Sequence, residues 1–117
     1  MKIGMIKDLL EAEVISGADM LDTEVHSACG SDMMSDVLAY VKDQAVLLTG
    51  LVNSQVIRTA EMMDMLCLVF VRGKRPTQEM IDLAAESGIA ILATDMRLYE
   101  ACGKLYMNGL VGNGRKI

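Results

Sequence analysis

Two short apolar runs, with a stretch of helical period between them, set the frame of the chain. Ala45 to Thr49 (AVLLT) is followed by a glycine, and Leu66 to Val71 (LCLVFV) is followed by the basic loop RGKR. Continuous apolar runs of this length, rich in branched side chains, predict strands covered on both faces. Between them Asn53 is placed to cap a helix whose inward stripe is Val56, Ile57, Ala60 and Met63, while Gln55, Arg58, Thr59 and Glu61 face elsewhere. The unit from Ala45 to Pro76 therefore reads strand, loop, helix, strand, loop, which is a βαβ crossover.

The same reading extends in both directions. Ile3, Ile6, Leu9 and Leu10 share one helical face, predicting a short amphipathic helix over the first ten residues. Glu13 to Ser16 reads as an edge strand, Gly17 to Asp22 as a turn, and Glu24 to Cys29 as a further strand. Ser31 or Asp32 is placed to cap a helix that buries Met33, Met34, Val37, Leu38 and Val41. After the basic loop, Pro76 and Thr77 open a helix through Met80, Ile81, Ala84 and Ala85 that stops at Gly88. Ile89 to Ala93 is the last strand, and Thr94 or Asp95 caps a final helix with Leu98, Ala101, Cys102 and Leu105 inward. Strands alternating with helices at about twenty-residue spacing favour parallel pairing through right-handed crossovers. The predicted fold is α/β: a three-layer, mostly parallel sheet of about four to five strands with helices on both faces. Residues 1–110 are expected to form a single domain and 111–117, rich in Gly and Asn, a flexible C-terminal tail.

Composition narrows the setting. At 117 residues the chain is long enough to bury about two thirds of its unfolded surface in one core. No apolar run approaches the ~18 residues a membrane span needs, and the amphipathic start carries no signal-peptide pattern. Three scattered cysteines, Cys29, Cys67 and Cys102, sit in or beside apolar segments as reduced thiols would, which argues for the cytoplasm and against zinc. With 11 Met and only 3% aromatic residues, thioethers fill space that aromatic rings would otherwise take, either in the core or at a subunit contact. A net charge of −5 argues against nucleic-acid binding, which requires clustered Lys and Arg.

In a parallel sheet the βα loops gather at the carboxyl edge of the strands, where ligands of open α/β sheets bind. Here those loops supply Gly30, Ser31 and Asp32, then Thr49, Gly50 and Asn53, then Arg72, Gly73, Lys74 and Arg75, and finally Thr94 and Asp95. Glycines allow close backbone approach, helix starts present N–H donors, and the basic loop adds positive charge, a combination suited to phosphate or another small anion. The same residue types cap helices and close turns, so both readings stand at this edge. Arg58, on the polar helix face, is placed to pair with Glu61 or Asp64, or to reach the ligand edge or a partner subunit. No catalytic constellation accompanies these loops. His26 is the single histidine and has no nucleophile motif nearby, GxxxxGK and GxGxxG are both absent, and Asp32 and Asp36 sit one helical turn apart. No spacing supports a metal site, and no cofactor is implied.

The order ACGSDMMSDVLAYVK, LLTGLVNSQVIRTAEMMDM, VFVRGKRPTQEMIDLAAESGIAILAT and YEACGKLYMNGL resembles the stand-alone DRTGG-domain family over roughly Val25 to Leu110. Thr49-Gly50 and Gly73 keep their places, whereas Leu51-Val52 stand where an Asp-Arg pair belongs and Lys74 where a second glycine would follow. Similar domains lie between CBS modules in regulated pyrophosphatases, in phosphate acetyltransferases, and in the amino-terminal part of HPr kinase. The resemblance implies a non-catalytic regulatory module that forms a homodimer and takes a nucleotide or phosphorylated metabolite at the loop edge. The alternative is an accessory subunit that docks on a larger metabolic or redox complex through a Met-rich surface.

Overall fold

A computed structural model describes residues 1–40 and 44–112. Its elements run α1 (Ile3–Leu9), β1 (Glu13–Ser16), a 3₁₀ turn (Ala18–Met20), β2 (Ser27–Gly30), α2 (Met34–Tyr40), β3 (Ala45–Thr49), α3 (Ser54–Met62), β4 (Cys67–Phe70), α4 (Gln78–Ser87), β5 (Ala90–Ala93) and α5 (Leu98–Met107). The strands form one sheet in the order β1-β5-β4-β3-β2. β2, β3, β4 and β5 are parallel neighbours, and β1 closes the other edge antiparallel to β5 with an irregular register between Val14 and Ser16. The three-layer, mostly parallel α/β architecture is therefore the one the hydrophobic pattern predicts.

Side-chain alternation divides the core in two. Val46, Leu48, Cys67, Val69, Ala90 and Leu92 face α1 and α5, while Leu47, Leu68, Phe70 and Ile91 face α2, α3 and α4. Every residue of β3, β4 and β5 is buried, as the unbroken apolar runs require for strands covered on both faces. Three of the helix ends follow from single residues. Asn53 accepts from the Val56 N–H, Thr77 accepts from the Met80 N–H, and Gly88 closes α4 in the left-handed conformation at φ +70°.

Several expected details change. Met33 and Leu38 are exposed and, among the described side chains, Met34 and Val37 carry the buried face of α2; Val41 lies outside the described residues, as does the end of the tail, 113–117. Thr59 is buried rather than facing outward, and Ala85 is exposed. Gly30 ends β2 instead of lying in the loop after it. Beyond α5, Leu110 is buried and the Val111 carbonyl accepts from the Ala28 N–H, so this segment covers part of the β2 edge. Among the described residues no helix is long and apolar enough to cross a membrane.

Candidate functional site at the carboxyl edge of the sheet

The loops after β2, β3 and β4 meet around one carboxylate. Asp32 Oδ1 accepts from the Thr49 hydroxyl at 3.0 Å and from the Gly50 N–H at 2.7 Å, and Oδ2 lies 3.6 Å from the Arg72 guanidinium. Thr49 continues the chain of bonds, since its Oγ1 also accepts from the Leu51 N–H at 3.1 Å. Asp32 therefore does not cap α2. The local turn there is made by Ser31, whose Oγ accepts from the Met33 N–H at 3.0 Å, leaving the Asp32 side chain free to reach the neighbouring loop. Both ionic partners are about half exposed, Arg72 at 48% and Asp32 at 46% of the side chain.

Gly50 leaves room for this arrangement and is not set by its backbone angle. A Cβ at this position would collide with the Arg72 guanidinium, which lies across the Thr49–Gly50 turn. Arg72 itself adopts φ +59°, a left-handed conformation that side chains other than glycine, asparagine and aspartate rarely take, and Gly73 follows at φ +70°. Three internal bonds hold the strained turn: Arg72 N–H to Met96 O at 2.8 Å, Gly73 N–H to Thr94 O at 3.0 Å, and Lys74 N–H to Val71 O at 3.1 Å. The amides of Arg72, Gly73 and Lys74 are thus spent within the fold, and what the loop presents outward is side-chain charge from Arg72, Lys74 and Arg75, all exposed.

The β5 end differs from the expected cap. Arg97, not Thr94 or Asp95, occupies the N-cap position of α5, and it makes no side-chain cap bond. Thr94 is buried, donates its hydroxyl to the Leu10 carbonyl at 2.7 Å and accepts from the Met96 N–H at 3.2 Å. Asp95 stays exposed beside Gly73, where an added Cβ would stand 3.3 Å from Asp95 Oδ1. Next to it opens a polar cleft of about 160 Å³ lined by Glu11, Glu13, Gly73, Arg75, Thr94 and Asp95. Glu13 accepts from Arg75 at 2.8 Å, and that bond together with the Arg75 charge holds the Glu13 carboxyl below its ordinary range.

The sequence-predicted residues thus fall into three sets. Asp32, Thr49, Gly50 and Arg72 are brought into direct contact, with Gly30, Ser31, Gly73, Lys74, Thr94 and Asp95 along the same edge. Asn53 is engaged as the α3 cap, with its side chain 3.3 Å from the Val56 N–H. Arg58 is exposed on α3 and pairs with neither Glu61 nor Asp64; Glu61 instead accepts from Ser87 at 2.9 Å. His26 precedes β2 at the opposite, amino edge of the sheet, so it cannot join Asp32 and Arg72 in one site. Glu11 and Glu13 come to the edge only because β1 is antiparallel to β5, with Glu13 opposite Ala93. Nothing local in EAEVIS announces that pairing. Among the described residues no group of three or more His, Cys, Asp or Glu side chains is arranged to hold a metal ion.

This architecture has relatives. The DRTGG-domain family model matches residues 5–106. The chain belongs to the DRTGG-domain family. Its fold is similar to that of the CBS and DRTGG domains of the regulatory region of Clostridium perfringens pyrophosphatase, a structure complexed with the activator diadenosine tetraphosphate. The match has a TM-score of 0.72 at 17% identity and covers 86% of this chain and 44% of that one. This DRTGG domain thus spans less than half of the chain it matches. No curated protein sequence matches it.

Proposed function

We propose that this DRTGG domain is a non-catalytic regulatory module that binds a nucleotide or another phosphorylated metabolite at the carboxyl edge of its sheet. The observation that carries the reading is the convergence of the Thr49 hydroxyl, the Gly50 N–H and the Arg72 guanidinium on the two oxygens of one half-exposed carboxylate, Asp32. A hydroxyl, a backbone amide and a guanidinium are donors that suit a phosphoryl oxygen. Lys74, exposed in the same loop as Arg72, adds positive charge, while Arg75 is paired with Glu13. The regulatory region of the structurally similar pyrophosphatase is complexed with a dinucleotide activator, which agrees with a ligand of this class. The Asp32, Thr49 and Arg72 side chains meet there as hydrogen-bond and ionic partners, an arrangement that fits recognition of an anion. Melting temperature followed against adenine nucleotides, inorganic phosphate and pyrophosphate tests the proposal. A ligand at a hundred times its dissociation constant stabilises by about 2.7 kcal/mol, and a flat response to all of them rejects the nucleotide reading.

The outer face of α5 favours a second activity, association with another copy of the chain. Tyr99, Tyr106 and Met107 are exposed there, beside an open groove of about 730 Å³ that also includes Met96 and Gly103. Glu100 and Lys104 lie on the same groove one turn apart, so two copies would present opposite charges to each other across a two-fold axis. Gly103 has open space where a side chain would stand, which allows close approach at the middle of the face. Co-purification from native expression separates the homodimer from an accessory role: this chain alone supports the homodimer, and a second polypeptide in fixed ratio supports the accessory subunit.

A further inference from the structure

We infer that Asp32 is an internal anion occupying the site that a ligand phosphate takes, so that binding proceeds by exchange of one oxyanion for another. This inference rests on the proposed ligand edge and adds what fills it at rest. One oxygen of Asp32 already receives the two neutral donors, Thr49 Oγ1 at 3.0 Å and Gly50 N at 2.7 Å, and the other faces a cation, Arg72, at 3.6 Å. This is the donor set of an oxyanion site with the chain's own carboxylate in it.

Two features make the occupant exchangeable. Asp32 reaches the site from the exposed Ser31–Met33 turn, outside regular structure, and its side chain is 46% exposed, so leaving returns it to water rather than to an apolar interior. The Arg72 contact is longer than a hydrogen bond, and ion pairs of this exposure are weakly held. The donors, in contrast, belong to the frame. Thr49 ends the fully buried strand β3, Gly50 directly after it is buried as well, and the Arg72 backbone is fixed by its bond to Met96. A phosphoryl oxygen entering the position of Oδ1 would accept the same two hydrogen bonds and pair with Arg72, while Asp32 swings outward. Asp32 then acts as a competitor that raises the ligand concentration needed for occupancy, and only a group with more negative charge than a single carboxylate displaces it efficiently.

The test uses the full chain and inorganic phosphate, with binding read by calorimetry and by the amide shift of Gly50. Asp32→Ala is expected to bind phosphate about tenfold or more tightly than the parent, because the competing charge-assisted bonds are gone. Adding Arg72→Gln to that variant should abolish the gain. Asp36→Asn removes the same charge one turn away without vacating the site and should leave phosphate affinity within about twofold of the parent, as expected for an exposed and screened charge. Equal affinity in Asp32→Ala and the parent, or an equal gain in Asp36→Asn, overturns the inference. If Asp32→Ala does not fold, Asp32→Ser replaces it in the same comparison. A nucleotide arm separates the two levels. A parent chain that binds no nucleotide, with Asp32→Ala gaining phosphate, overturns the functional reading and upholds the occupied site. A parent that binds nucleotide, with Asp32→Ala gaining nothing, does the reverse.

Discussion

At the scale of single residues, contacts across the sheet edge decide which side chains each position tolerates. A Cβ at Gly50 would meet the Arg72 guanidinium, so Gly50→Ala should act by expelling that side chain. Its cost should fall by about 0.5 kcal/mol or more when Arg72 is already Ala, a coupling that a double-mutant cycle in urea measures directly. Gly17 presents the opposite case. It combines φ +84° with an added Cβ only 2.8 Å from the Ala90 Cα, so neither the backbone nor its neighbour can yield cheaply. Gly17→Ala is expected to lose about 2 kcal/mol or more, without rescue from any substitution at Arg72. The thiols also differ by position. Burial pushes Cys67 up to about 12, while Cys29 and Cys102, half-buried, are raised less, chiefly by desolvation. Iodoacetamide at pH 8 should therefore leave Cys67 untouched in the folded protein and alkylate all three cysteines in denaturant, as peptide mass analysis would show.

At the scale of elements, the edge loops are tied by side chains far apart in sequence. Thr94 links the end of β5 to the segment after α1 through Leu10, and replacing it by the isosteric valine leaves a buried carbonyl and an amide unpaired. Thr94→Val should cost about 1–3 kcal/mol by equilibrium unfolding. Glu13 and Arg75 fasten β1 to the loop before α4. Because the folded Glu13 carboxyl is held below its unfolded value, the stability it contributes is present above the ordinary value of 4.5 and is lost as pH falls through the depressed one. The difference between the parent chain and Arg75→Gln should therefore be full above pH 4.5, shrink as pH falls below it, and be gone only once pH has passed below the depressed value of the folded carboxyl, measured as urea midpoints across that range.

The same distances explain what the sequence conveys and what it does not. The strands β3, β4 and β5 are legible because burial on both faces forces continuous apolar runs, and the caps at Asn53, Thr77 and Gly88 are legible because each acts within a few residues. Asp32 and Thr94 look like helix caps for the same local reason, yet their partners lie across the sheet edge, 17 residues away at Thr49 and 84 residues away at Leu10. Glu13 gives no local sign that an antiparallel strand will carry it to Arg75. The loops of the candidate site could be enumerated from the βα alternation, but the bonds joining them depend on tertiary placement.

At the scale of the whole molecule, the sheet presents a polar, partly basic edge and α5 presents an apolar outer face. The proposed association through that face predicts a dimer mass by sedimentation at micromolar concentration, and Tyr99→Arg combined with Met107→Glu should shift it to the monomer with the far-UV circular dichroism of the parent retained and the concentration dependence of the melting temperature lost. A monomer mass for the parent chain would reject the association. The central claim concerns the other surface, and an amide-resolved NMR titration with ATP and diadenosine tetraphosphate tests it most directly. Saturable shifts confined to Ser31–Asp32, Thr49–Asn53, Arg72–Arg75 and Thr94–Asp95 are the result the ligand edge predicts. Shifts centred on α5 or on the amino edge around His26, or no saturable shift at millimolar ligand, would contradict it.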